Sequence, residues 1–207
     1  MSNAADLQLG SDGRTRCWWC GHDPLYVSYH DDEWGMPVDD DRRLFEKICL
    51  EGFQAGLSWI TILRRREAFR ANFCGFDFQR VARFDDRHVE RLVTDAAIIR
   101  HRGKIESVVN NARRALELIE ERGSLAAFLW HFEPERPTPR EHRDQIESKT
   151  AESIEISRQL KRRGWSFVGP TTCYAMMQAV GMVNDHLQAC HAWAAVEQAR
   201  NRFQRPR

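Results

Sequence analysis

No stretch of this 207-residue chain approaches the roughly 20 consecutive apolar residues of a membrane span, and the polar start from Met1 to Gly13 lacks the apolar core of a signal peptide. These absences argue against a membrane or secreted protein, so cytoplasmic residence with no membrane partner is the expectation. An excess of one charge is missing too: 31 Lys and Arg face 30 Asp and Glu, a formal net charge of +1. Polyelectrolyte character therefore announces neither nucleic acid nor lipid as a partner. No run alternates as a half-buried strand does, and no internal repeat recurs. Six cysteines are present, but a non-secreted chain disfavours disulfides. Cys49, Cys74 and Cys173 sit in apolar or helical surroundings and read as buried thiols.

What is there is helical periodicity. Leu44, Phe45, Ile48 and Cys49 form one apolar face, Val89, Leu92, Val93 and Ala96 a second, and Ile105, Val108, Val109, Ala112, Leu116 and Ile119 the longest. Ser124 caps a short helix holding Leu125, Phe128 and Leu129. Helices are predicted over 150–163, 171–180 and 184–199, with a break at 164–170. The fold class is therefore all-α and not a simple bundle. Residues 1–13 read as a disordered tail, 14–200 as a single domain of two helical lobes, and 201–207 as a second tail. The stretch 133–149, with Pro134, Pro137 and Pro139 and few apolar residues, reads as a surface linker.

Metal-ligating residues are divided between the two ends. Cys17, Cys20, His22 and His30 stand near the start, and His186, Cys190 and His191 near the finish. On a helix, His186 and Cys190, four apart, share a face and can grip one ion. A single Zn²⁺ taking two ligands from each end would clip the termini together and fix the aromatic amino-terminal segment against the last helix.

That segment holds Trp18, Trp19, Tyr26, Tyr29 and Trp34, with Trp59 after the next helix. Such a cluster can line a slot for a flat ring, where stacking is worth roughly 1–3 kcal/mol per base; the plain alternative is core packing. Glu51 follows the apolar run Ile48-Cys49-Leu50 and is either a solvated carboxylate or an acceptor inside the slot that selects a ligand with amino groups or positive charge. Leu57, in the turn Gln54-Ala55-Gly56-Leu57-Ser58, can serve as an apolar wedge. In Phe167-Val168-Gly169-Pro170-Thr171-Thr172, Gly169 is free to take positive φ and Pro170 suits a first helical turn, so amides at the helix start can hold a phosphate oxygen. The basic blocks Arg64-Arg65-Arg66, Arg100-His101-Arg102 with Lys104, and Lys161-Arg162-Arg163 are solvated helix ends or phosphate contacts.

Several strings carry a resemblance: Asp23-Pro24-Leu25-Tyr26, Tyr29-His30-Asp31, Glu33-Trp34-Gly35, Leu50-Glu51-Gly52, Gln54 to Ile60, Ile98 to Lys104, and Val183-Asn184-Asp185-His186. Over residues 16 to 191 the chain resembles the 3-methyladenine DNA glycosylase I family of helix-hairpin-helix DNA glycosylases. The resemblance implies a helix-hairpin-helix fold with a structural zinc on Cys17, His30, His186 and Cys190, with Cys20 as a rival ligand. It implies a base pocket of Glu51, Trp19, Tyr26, Tyr29 and Trp59, with Glu51 the catalytic residue, and DNA contacts by Leu57 and by a hairpin containing Gly169, Thr171 and Thr172.

The implied activity is monofunctional: double-stranded DNA containing alkylated adenine is bound, 3-methyladenine is flipped out, and hydrolysis of its N-glycosidic bond leaves an abasic site. A monomer is expected. Many relatives in the superfamily place an aspartate two residues before the histidine that aligns with His186, where this chain has Asn184. Ala97 also stands where the family is expected to have glycine. A non-catalytic zinc-stabilised DNA-binding module is the alternative. A metal hydrolase ranks lower, because four protein ligands leave zinc no open position.

Overall fold

The protein is described by a computed structural model covering residues 6–135 and 139–206. Residues 1–5 of the expected first tail, Pro137 of the linker and Arg207 lie outside the described residues. Among those described, eleven α-helices surround one main core, and the only sheet is a two-stranded hairpin.

The core is built around α2 (Asp41–Gln54) and α7 (Arg102–Arg122). The Asp40 carboxylate caps α2 by accepting from the Arg43 N–H at 2.8 Å, and the predicted face of Leu44, Phe45, Ile48 and Cys49 is buried. Helix α2 packs against α7, α3 (Trp59–Leu63), α8 (Leu125–Trp130) and α10 (Pro170–Ala179). Ser124 caps α8 as its sequence position implies, accepting from the Ala127 N–H. Helices α1 (Pro24–Asp32), α4 (Arg66–Asn72), α5 (Phe78–Val81), α6 (Asp86–Thr94), α9 (Ala151–Arg162) and α11 (Trp193–Arg202) complete the set.

Four expectations are corrected. Residues 7–17 form a hairpin, not the end of a disordered tail: β1 (Leu7–Leu9) runs antiparallel to β2 (Thr15–Cys17), Leu7 opposite Cys17. The Arg16 guanidinium, hydrogen-bonded to both Asp12 and Asp31, anchors it. Residues 184–192 are successive turns, and the last helix begins only at Trp193. His186 and Cys190 therefore do not share a helical face; the Cys190 N–H donates to Leu187 O at 2.7 Å, and that turn brings them together. The stretch 139–149 is more than a surface linker: Arg140 forms a parallel bridge with Leu187, and Ile146 packs on the core. The second tail is tied down by Phe203, whose ring centroid is 4.5 Å from that of Trp130.

Between α9 and α10 lies the turn expected to bear a hairpin. Positive φ falls on Gly164 (79°) and Phe167 (55°), whereas Gly169 sits at −64° as the N-cap of α10. The freedom read into Gly169 is thus not used; Phe167 adopts the unusual conformation instead. Asn111 on α7 fixes this turn by donating to Ser166 O and accepting from the Ser166 N–H, both at 2.9 Å.

Candidate active site and metal centre

Four ligand atoms converge where the hairpin, α1 and the 184–192 turns meet. Cys17 ends β2, His30 lies on α1, and His186 and Cys190 come from the turns; all four are buried, and their ligand atoms lie within 4.8 Å of one another. Cys17 Sγ is 3.8 Å from His186 Nδ1, and Cys190 Sγ is 3.5 Å from His30 Nε2 and 3.7 Å from His186 Nδ1. A tetrahedral zinc with ordinary bond lengths requires sulfur-to-nitrogen edges of about 3.6 Å. Each histidine's other nitrogen is engaged: His30 Nδ1 is 2.8 Å from Asp31 Oδ1, and His186 Nε2 is 3.0 Å from Trp34 O. These partners select the tautomers that leave Nε2 of His30 and Nδ1 of His186 facing the centre. Of the other candidates, Cys20 accepts from Gln8 Nε2 at 3.1 Å, His22 is exposed, and His191 bonds Asp31 at 2.9 Å.

Beside this centre is a cavity of about 270 Å³. Trp18, Trp19, Tyr26, Tyr29, Trp34 and Trp59 supply its aromatic walls, and Glu51, Gln54, Ile146, Ala175 and Gln178 complete the lining. All five residues assigned to the base pocket from the sequence are therefore brought together. Trp19 lies 5.1 Å from Tyr26 and 4.9 Å from Trp34 between ring centroids, and Tyr29 lies 5.4 Å from Trp59. The Trp59 indole N–H is buried and, among the described residues, finds no acceptor.

Glu51 is 5% exposed, on the last turn of α2. Burial pushes its carboxyl from 4.5 up to about 7, against the opposing pull of Lys47. Burial likewise raises the Tyr26 hydroxyl to about 12 and the Tyr29 hydroxyl well above its usual value. Both tyrosines stay neutral, and Glu51 is the one carboxylate lining the cavity among the described residues. Asn184 faces away: its amide donates to Trp193 O and Glu197, and its Oδ1 accepts from the His186 N–H. Asp185 is buried outside the cavity, accepting from Tyr174 Oη (2.6 Å), Gln178 Nε2 (2.8 Å) and Arg140 (3.3 Å).

Among the residues around the pocket that escaped sequence reasoning are two polar ones, Gln178 and Lys47. Gln178 is held by Asp185, and since that carboxylate only accepts, the amide oxygen of Gln178 is left free of this contact. Lys47, one turn before Glu51, donates to the Tyr29 hydroxyl at 3.1 Å. Its signal was visible, because Lys47 falls in the apolar phase of α2 between Phe45 and Ile48.

The expected DNA-contacting residues lie apart from the metal centre. Leu57 is 40% exposed on the turn after α2, and Lys104 fixes that turn by donating to Phe53 O (2.9 Å) and Ala55 O (2.6 Å). Thr171 is exposed and Thr172 half-buried at the start of α10, which no side chain caps. A Cβ on Gly52 would lie 3.3 Å from the Phe167 Cβ, so the α9–α10 turn packs directly on the helix that carries Glu51. Several basic residues are committed to ion pairs: Arg64 with Asp23, Arg66 with Glu33, Arg163 with Glu121. Arg100, Lys161 and Arg162 remain exposed. Ala97 has no positive φ and donates its N–H to Asp95, so a side chain is accommodated there.

The methyladenine glycosylase family profile matches residues 19–193. DNA-3-methyladenine glycosylase 1 of Escherichia coli (strain K12) is 50% identical over 177 residues, covering 84% of this chain and 95% of that protein. A crystal structure of a 3-methyladenine DNA glycosylase I superposes with a TM-score of 0.81 at 50% identity, covering 85% of this chain and 98% of the other. The Staphylococcus aureus glycosylase, in a structure concerned with its recognition of 3-methyladenine, gives a TM-score of 0.80 at 35% identity, over 83% of this chain and 92% of that one. The chain that places a desolvated glutamate in an aromatic cavity thus belongs to the methyladenine glycosylase family.

Proposed function

We infer that the protein is a DNA repair glycosylase that excises 3-methyladenine, with Glu51 as its catalytic residue. The observation that carries this is the Glu51 carboxylate, desolvated among indole and phenol rings in a cavity of purine size. Methylation at N3 makes the adenine of a nucleotide a cation, which weakens its glycosidic bond and lets it leave as a neutral base. A buried carboxylate favours that cation over neutral adenine, and the faces of Trp19 and Trp59 add stacking and cation–π attraction. The nucleotide must first leave the duplex, at a cost of a few kcal/mol. Leu57 would fill the gap, while the amides at Gly169, Thr171 and Thr172 would hold a phosphate as the second half of a helix-hairpin-helix.

Water completes the reaction. With Asn184 and Asp185 engaged elsewhere, Glu51 and the DNA phosphates stabilise the developing oxocarbenium charge. The turn 163–170 holds no lysine, so no Schiff base forms there and the product is an abasic site. The Cys17, His30, His186 and Cys190 donor set fits one tetrahedral Zn²⁺, closed to substrate and structural in role. In this reading the enzyme is a cytoplasmic monomer acting on double-stranded DNA; no described helix is long and apolar enough to cross a membrane.

Release of free base from alkylated DNA by wild type and Glu51→Gln tests this reading. Loss of release in the variant is expected. Unchanged release would remove Glu51 from the mechanism, and none from wild type would favour a non-catalytic DNA-binding module.

A further inference from the structure

Lys47 is a charge the reaction described above does not use. It is 8% exposed and lies outside the base pocket, lining a second cavity of about 320 Å³. The two cavities share Tyr29 as their common wall. The ammonium donates to the Tyr29 hydroxyl at 3.1 Å, stands 3.6 Å from Glu33 Oε1, and lies 4.8 and 4.6 Å from the ring centroids of Tyr29 and Trp59. Burying a lysine is costly, and a methionine or leucine would fill the same phase of α2 without that cost.

We propose that Lys47 is a positioning residue for base excision: from behind the Tyr29 and Trp59 rings it supplies the standing counter-charge that keeps Glu51 a carboxylate. The two residues are four apart on α2, so they share a face one turn from each other. Lys47 nonetheless makes its ion pair with Glu33, which leaves the Glu51 oxygens free for the base. The charged and titratable groups around the pair are Tyr26 and Tyr29 from α1, Glu33 just after it, Arg66 from α4, and Glu46 on α2. Arg66 binds Glu33 through both carboxylate oxygens, so that carboxylate only partly cancels the ammonium.

The ammonium also repels a cationic purine. Its two effects separate with pH: it helps where Glu51 is partly protonated and hinders where Glu51 is fully ionised. A residue that merely props the rings would help at every pH.

The inference rests on the role assigned to Glu51, and the test separates the two. The pH dependence of kcat/KM for base release is measured for wild type, Lys47→Met, Lys47→Arg, Glu33→Gln and Glu51→Gln, with thermal melting as the check on folding. Lys47→Met is expected to move the acid limb upward by about one pH unit while matching or exceeding wild type on the alkaline side; Lys47→Arg keeps the wild-type midpoint. Glu33→Gln, which leaves the ammonium in place beside less negative charge, moves the midpoint downward, so the inference is tested even where Lys47→Met fails to fold. An unmoved midpoint in both Lys47→Met and Glu33→Gln, or a uniform loss of rate in Lys47→Met at all pH, overturns it. A wild-type acid limb that persists in Glu51→Gln instead overturns the role of Glu51.

Discussion

The imidazole of His30 lies 5.1 Å, centroid to centroid, from the indole of Trp19. One ring belongs to the candidate ligand set and the other lines the aromatic cavity, so the Cys17, His30, His186 and Cys190 cluster backs the cavity wall at one remove. Trp34 repeats the relationship: its ring lies 4.6 Å from that of His186, and its carbonyl accepts from the same histidine. A change at this cluster therefore reaches the slot through two aromatic contacts.

Cys190→Ala is accordingly expected to lower stability by about 3 kcal/mol or more, a fall in melting temperature of about 6–12 °C, with loss of activity on the folded fraction. Metal analysis is expected to find one zinc per wild-type chain and none in the variant. Full stability of metal-stripped wild-type protein would count against the clip.

Glu51→Gln is expected to change the pH dependence of stability. The Glu51 carboxyl is raised from 4.5 to about 7, so the stability contributed by its protonated form is full below pH 4.5 and is lost as the pH rises through about 7. The loss is on the order of 3 kcal/mol. The variant lacks this slope and melts higher than wild type above pH 7; parallel melting-versus-pH curves would refute it.

Gln178→Met is expected to lower kcat/KM for base release about tenfold, the value of one hydrogen bond, with little change in melting. The Asp185 contact orients the amide so that its oxygen can accept from an exocyclic amine. Steady-state kinetics on alkylated DNA check this, and an unchanged kcat/KM would make Gln178 a spectator.

Phe167→Gly separates fold from DNA contact. It relieves about 1–2 kcal/mol of left-handed backbone strain and loses packing against Gly52 and His101. Melting is expected to stay within about 3 °C of wild type while affinity for duplex DNA falls several-fold. Unaltered DNA affinity would remove the α9–α10 turn from the interface.

Long apolar stripes made α2 and α7 legible in the sequence, because nonlocal packing reinforces what their periodicity states. Cysteine, histidine and tryptophan announced candidate ligands and an aromatic slot by their chemistry, but the choice of four ligands among seven and of the five pocket residues came from the family resemblance. The β1–β2 hairpin was not, since three-residue strands are too short to alternate and Arg16, Asp12 and Asp31 hold them from outside the pattern. The 184–192 turns were misread as helix: four-residue spacing suits a helix, but here Asn184 caps a turn and the ligands meet across it. Ile146, Ala175 and Gln178 reach the pocket only through tertiary placement, whereas the burial of Lys47 was written in its place on the apolar phase of α2 and was passed over because lysine is ordinarily solvated.

The most direct test is an NMR titration of the Glu51 side-chain carboxyl in the free protein, with the resonance assigned by its absence in Glu51→Gln. The account predicts a midpoint near pH 7, the mark of a carboxylate stripped of water and held ready for a cationic purine. A midpoint at the ordinary value of 4.5 would mean that water already satisfies this acid, and the basis for selecting a charged base would be gone.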